Sequence, residues 1–126
     1  EITVSTDHEG YDGRKNYAEN CAGGYYSMRL AALEKLIKLK RQASILVFRF
    51  ELPEYWAALG VWVTREAARK TLKNKPYFFP EKERMLEYAK AIVKDKFNFD
   101  LNILLQQSVL LRNIRTQKKL TSFFQV

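Results

Sequence analysis

The side chains best able to do chemistry in this chain stand in one short run, Gln117-Lys118-Lys119-Leu120-Thr121-Ser122-Phe123-Phe124. A hydrogen-bonding amide, an aliphatic residue and two adjacent aromatics occupy fixed offsets in it. Chain ends are normally polar and frayed, so a Phe pair there asks for a surface to dock on. One tight turn would stack Leu120 against Phe123 and Phe124 as a single apolar plug, because side chains at i and i+3 eclipse in such a turn. Gln117 would serve beside it as a polar latch. Two buried Phe side chains remove roughly 150–250 Å² each, worth about 7–12 kcal/mol, and Leu120 adds about 1.5–3 kcal/mol. Ordering the eight residues of the run costs about 1–2 kcal/mol each, a comparable sum. The chemistry is therefore reversible, non-covalent docking, with internal packing of the two Phe residues as the competing reading.

A second set of candidates is cationic. Arg65, Arg69 and Lys73 recur at every fourth position, which sets like charges on one helical stripe. Such a stripe is either solvated or faces an anion, and phosphate is the natural one. Arg29, in the helix that follows Gly23 and Gly24, joins them as a candidate nucleic-acid contact. That Gly pair would let backbone N–H groups approach a phosphate at a helix start, or would simply form a tight turn. Asp7, His8, Glu9 and Asp12 are spaced too irregularly to read as a metal site, and a solvated loop is the simpler account. Cys21 has no histidine after it to act as a base, which makes it a packed thiol rather than a nucleophile.

Composition sets the bounds. With 126 residues, 47% of them hydrophobic, the chain is one globular domain with a real core. Its 22 Lys and Arg residues outnumber 14 Asp and Glu, for a net charge of +8, and that balance favours a polyanionic partner such as DNA. A lone cysteine excludes an internal disulfide and a zinc cluster. The absence of a signal peptide or membrane-length apolar run points to a cytoplasmic protein without membrane contact. Residue 1 is Glu rather than Met, so a fragment or a processed product is expected.

The elements that must position these residues follow from periodicity. Residues 1–22 are polar and Gly-punctuated, an extended entry segment. A helix is expected over 25–42, with Tyr26, Leu30, Leu33 and Ile37 as its apolar face and cations in its last turn. Residues 44–51, rich in Ile, Val and Phe, read as a buried strand, paired across the Leu52-Pro53-Glu54 turn with a second strand over 55–63. Thr64 should cap a short helix running to Lys73. A third helix should begin near Pro80 and end near Lys96, with Met85, Leu86, Ala89, Ile92 and Val93 on its buried side. Asp100 should cap a fourth, with Leu101, Leu104, Leu105, Ser108 and Leu111 along one side, passing through Arg112 and Arg115 into Gln117. Arg112, Arg115, Lys118 and Lys119 would form a basic collar at that junction. The expected fold is therefore α+β: about four helices on a small, mainly antiparallel sheet over 23–115, with a docking tail over 116–126.

Two resemblances sharpen this. The run from Gln117 to Phe124 resembles the PIP box, the motif that docks on the sliding clamp PCNA, at each of its defining positions. More broadly, residues 23–34 (GGYYSMRLAALE), 41–49 (RQASILVFR), 59–66 (LGVWVTRE) and 108–124 are similar to the C-terminal region of archaeal Nre-family proteins. That resemblance implies a DNA-repair protein that binds the sliding clamp through Gln117, Leu120, Phe123 and Phe124, with DNA as a further partner. It places a zinc-binding region upstream and no cofactor in this segment, and it assigns no catalytic residue. The alternative, from another class, is part of a nuclease-like enzyme whose active site is completed by upstream sequence. The oligomeric state is open.

Overall fold

The computed structural model describes residues 2–54 and 60–116. The docking run 117–124 lies outside them, as does most of the second expected strand. Among the described residues five helices follow one another: α1 (Ala22–Leu39), α2 (Val61–Lys73), α3 (Lys82–Phe97), α4 (Asn102–Leu105) and α5 (Val109–Thr116). The expected antiparallel sheet is not there among the described residues. Among the described residues the only β-type pairing is an isolated bridge between Gly10 and Gly13. It closes a tight turn in which Gly13 takes φ +81° and donates its N–H to the Gly10 carbonyl at 3.0 Å.

The physical reason is the loss of a partner strand. Val61, Trp62 and Val63, expected to pair with residues 44–51, instead form the first turn of α2 behind an extended Gly60 cap. A run of β-formers without a ladder partner stays irregular, because strand propensity measures packing on a sheet rather than a backbone preference. Residues 44–51 are not the buried segment expected: Ile45, Leu46 and Val47 are exposed, and only Phe48 and Phe50 pack on the core of the α3–α5 half. Thr64 is not the cap of α2 but a buried residue of its first turn, with Oγ1 donating to the Gly60 carbonyl at 3.4 Å.

Helix α1 starts and stops three residues earlier than periodicity predicts, and its buried face is different. Leu30, Leu33 and Ile37 are exposed, Ile37 at 75%, whereas Ser27, Ala31 and Ala32 are buried. Small residues allow the backbones of α1 and α2 to approach closely. A Cβ added at Gly23 would meet Val61 Cγ2 at 2.6 Å, and Ser27 Oγ bonds the carbonyls of Gly23 and Val61 at 2.8 and 3.2 Å. The expected turn before the helix also moves. Gly23 and Gly24 lie inside α1, and the left-handed residue is Ala22, at φ +46°.

The α3–α5 half matches expectation more closely. Val93, Phe99, Leu101, Leu105 and Leu111 form one apolar cluster, flanked by Leu86, Ala89 and Leu104. Asp100 Oδ1 accepts the Asn102 N–H at 3.0 Å, as a cap should. The single fourth helix, however, is two. Ser108 Oγ accepts the Leu111 N–H at 3.2 Å, restarting the helix as α5 after a turn at Gln106 and Gln107.

Candidate functional site

The entry segment is not a passive lead-in. It folds over the start of α1 and supplies carboxylates to it. Asp7 Oδ2 accepts the Cys21 N–H at 2.6 Å, so the orphan donors and positive dipole end of α1 face the chain's own acid. A phosphate at that helix start would have to displace Asp7, whose side chain is only 3% exposed. Glu9 takes a fork from Arg29, with Nε–Oε2 at 2.6 Å and Nη2–Oε1 at 3.1 Å, and a short hydrogen bond from the Tyr25 hydroxyl. The Arg29 and Tyr25 hydrogen bonds hold the Glu9 carboxyl down to about 2. Burial, then the bond to Glu9, push the Tyr25 phenol up to about 12.

Arg14 ties this cluster to the loop. It donates to the carbonyls of His8, Asn16 and Tyr17 and sits 5.5 Å from the centre of the Tyr25 ring. Tyr17 stacks on Tyr26, whose hydroxyl accepts the Ala18 N–H at 3.1 Å. An open hollow of roughly 450 Å³ lies alongside, lined by Asp7, Arg14, Asn16, Tyr17, Glu19 and Asn20. Cys21 packs 3.7 Å from Ser5 Oγ, and burial pushes its thiol above the ordinary range, the direction that disfavours the nucleophilic thiolate. Among the described residues no three His, Cys, Asp or Glu side chains gather to hold a metal ion.

A second clasp joins the two long helices. Arg69 forks onto Glu34 at 2.6 and 3.0 Å and donates to Glu66 at 2.8 Å. The hydrogen bond to Arg69 lowers the Glu34 carboxyl, and bonds to Glu34 and Glu66 raise Arg69 above its ordinary range.

The four cations proposed for nucleic acid are thus treated differently by the fold. Arg29 and Arg69 each hold carboxylates, and Arg65 Nε lies 3.6 Å from Glu66 with no hydrogen bond of its own. Lys73 is exposed, one turn past the clasp. Arg65, Arg69 and Lys73 share one stripe of α2, and Arg29 stands on α1. Sequence reading left Asp7 and Glu9 in a solvated loop and gave Arg14 and Tyr25 no role, because Cys21, Tyr25 and Arg29 lie 14, 16 and 20 residues from the acids they meet and no local period joins them. The helix start behind a Gly pair, reached by acids from an upstream loop, was the available signal.

The comparisons with known proteins decide the family. The model of the C-terminal region of archaeal Nre proteins matches residues 9–123, nearly the whole chain. The chain belongs to the Nre family. It is 42% identical over 93 residues to the DNA repair protein NreA of Archaeoglobus fulgidus, a stretch covering 74% of this chain and 24% of that protein. It is 37% identical over 122 residues to the DNA repair protein NreB of the same organism, covering 97% and 30%. The NreA of Haloferax volcanii is 41% identical over 71 residues, 56% of this chain and 17% of that relative. The chain therefore spans less than a third of the length of these Nre relatives. No solved structure matches it. The matched stretch of this chain includes both the Glu9–Arg29 and the Glu34–Arg69 pairs. No helix among the described residues is long and apolar enough to cross a membrane.

Proposed function

We propose that this chain is the clamp-docking part of an archaeal DNA-repair protein, attached to the sliding clamp PCNA through Gln117, Leu120, Phe123 and Phe124. The observation that carries the reading is the amide–aliphatic–aromatic pair pattern of 117–124, immediately after α5, in a chain whose Nre relatives are named DNA repair proteins. DNA is the second partner, reached through exposed cations and through the ring that encloses it.

Calorimetric titration with an archaeal sliding clamp tests this. Changing Phe123 and Phe124 together to Ala should weaken clamp binding more than tenfold, since buried aromatic anchors dominate such interfaces. The melting temperature should hold. A large fall in melting temperature with clamp affinity kept would mean that the pair packs on its own domain, and would overturn the proposal.

A further inference from the structure

The contacts between α1 and α2 advance in the same direction along both helices. Gly23 meets Val61 at their starts, and Glu34 meets Arg69 further on at 2.6 Å. The two helices therefore run side by side, N-terminus with N-terminus, and end together. One turn beyond the Glu34–Arg69 clasp, about 6 Å at 1.5 Å per residue, stand Lys38 on α1 and Lys73 on α2, both exposed. Past them follow Lys40 and Arg41 on one side and Lys75 on the other, with Lys70 alongside, all exposed.

Among the described residues no carboxylate forms a close ion pair with any of these cations, although Glu34 feels the charge of Lys38 one turn away. Neither 35–50 nor 67–80 contains an Asp or Glu. Glu34 and Glu66, the last acids before this end, are both engaged by Arg69, and Glu51 is held by Arg49 at 2.5 Å. Helix dipoles explain only part of the cluster. Two parallel C-termini present roughly half a negative charge each, about one in all, against six cations. The remaining positive charge is exposed and open to an external anion.

We propose that the shared C-terminal end of α1 and α2 is a binding site for the phosphodiester backbone of DNA, centred on Lys38 and Lys73. This rests on the DNA-contact half of the function proposed above and moves that contact away from Arg29 and Arg69, which hold carboxylates, to the end of the helix pair. Backbone binding by exposed lysines carries no base reading, so the site is indifferent to sequence and sensitive to salt.

The test is fluorescence anisotropy of a labelled DNA duplex titrated with the full chain over a series of salt concentrations. Replacing Lys38 and Lys73 by Gln should weaken binding several-fold at low salt and reduce the slope of log K against log salt by about two. A control variant, Lys94→Gln with Lys96→Gln on α3, makes the same change in net charge elsewhere and should leave binding close to wild type. Clamp affinity of both variants should be unchanged, which separates failure here from failure of the docking run. Circular dichroism should confirm intact helices. Equal losses in the two variants would reduce the effect to diffuse charge and overturn the site. So would wild-type binding to anionic lipid vesicles but not to the duplex, since Ile37 and Leu39 are exposed at the same end.

Discussion

The two halves of this molecule hold together by different means. In the α3–α5 half, five apolar side chains from the end of α3, the following loop, α4 and α5 form one cluster, and Leu101 is 1% exposed. In the α1–α2 half the interface is made by Gly23 and Ser27 against Val61, by a buried Thr64 and by the Glu34–Arg69 clasp. Its large apolar residues Leu30, Leu33, Ile37 and Trp62 are exposed. Apolar burial scales with area and tolerates small shifts, whereas close backbone approach and hydrogen-bonded ion pairs demand particular geometry. One half is therefore a foundation and the other a fitted joint. The functional proposals divide the same way: the docking run follows the foundation, and the cation cluster sits on the joint.

The largest expected effect tests the foundation. Leu101→Ala should cost about 2–5 kcal/mol, the transfer loss plus the cavity left by a fully enclosed side chain. Urea unfolding followed by circular dichroism measures it. A loss under about 1 kcal/mol would show that the cluster is not what holds α3, α4 and α5 together, and would erase the contrast between the halves.

The joint should break by addition rather than removal. Gly23→Ala places a methyl 2.6 Å from Val61 Cγ2, and overpacking of that kind costs about 1–3 kcal/mol. Helix propensity alone predicts the opposite sign, since Ala is favoured over Gly inside a helix. Adding Val61→Ala should restore most of the loss by removing the clashing atom. If Gly23→Ala raises stability, the close approach of α1 and α2 is not a real constraint. If the double variant stays as unstable as the single one, the clash lies elsewhere than Val61.

This contrast also explains what could be read from the sequence. Leu101, Leu104, Leu105, Ser108 and Leu111 were legible as a buried side because burial there is apolar and periodic. The Asp100 cap was legible for the same local reason. On α1 the period of Tyr26, Leu30, Leu33 and Ile37 named the wrong face, since the real contact uses the smallest residues and hydropathy is blind to them. Residues 44–51 read as a strand because Ile, Val and Phe favour one, yet strand formation needs a partner that Gly60 and α2 took away. Asp7 and Glu9 looked like a solvated loop. Only the fold reveals that they serve Cys21, Tyr25 and Arg29. Four cations shared a reading as a phosphate face, although carboxylates distant in sequence had already claimed Arg29 and Arg69.

The smallest effect concerns the carboxylate that ties the entry segment to α1. Glu9 titrates at about 2 in the folded chain against an ordinary 4.5, chiefly through its hydrogen bonds from Arg29 and Tyr25. A depressed carboxyl contributes stability that is fully present above the unfolded pKa and is lost as pH falls through the folded one. The Glu9 contribution should therefore fade between pH 4.5 and about 2. Tyr25 has the opposite sign: with its phenol raised from 10 to about 12, its contribution holds below pH 10 and is lost as pH climbs to about 12. Glu9→Gln should cost about 1 kcal/mol at neutral pH, because Arg29 is half exposed and water replaces much of what the pair provides. More tellingly, it should flatten the acid limb of the stability profile, and Tyr25→Phe should flatten the alkaline limb. Thermal melts of the three proteins across pH decide the matter. An acid limb as steep in Glu9→Gln as in the wild type would leave the clasp a surface ornament, and the entry segment would need another tether.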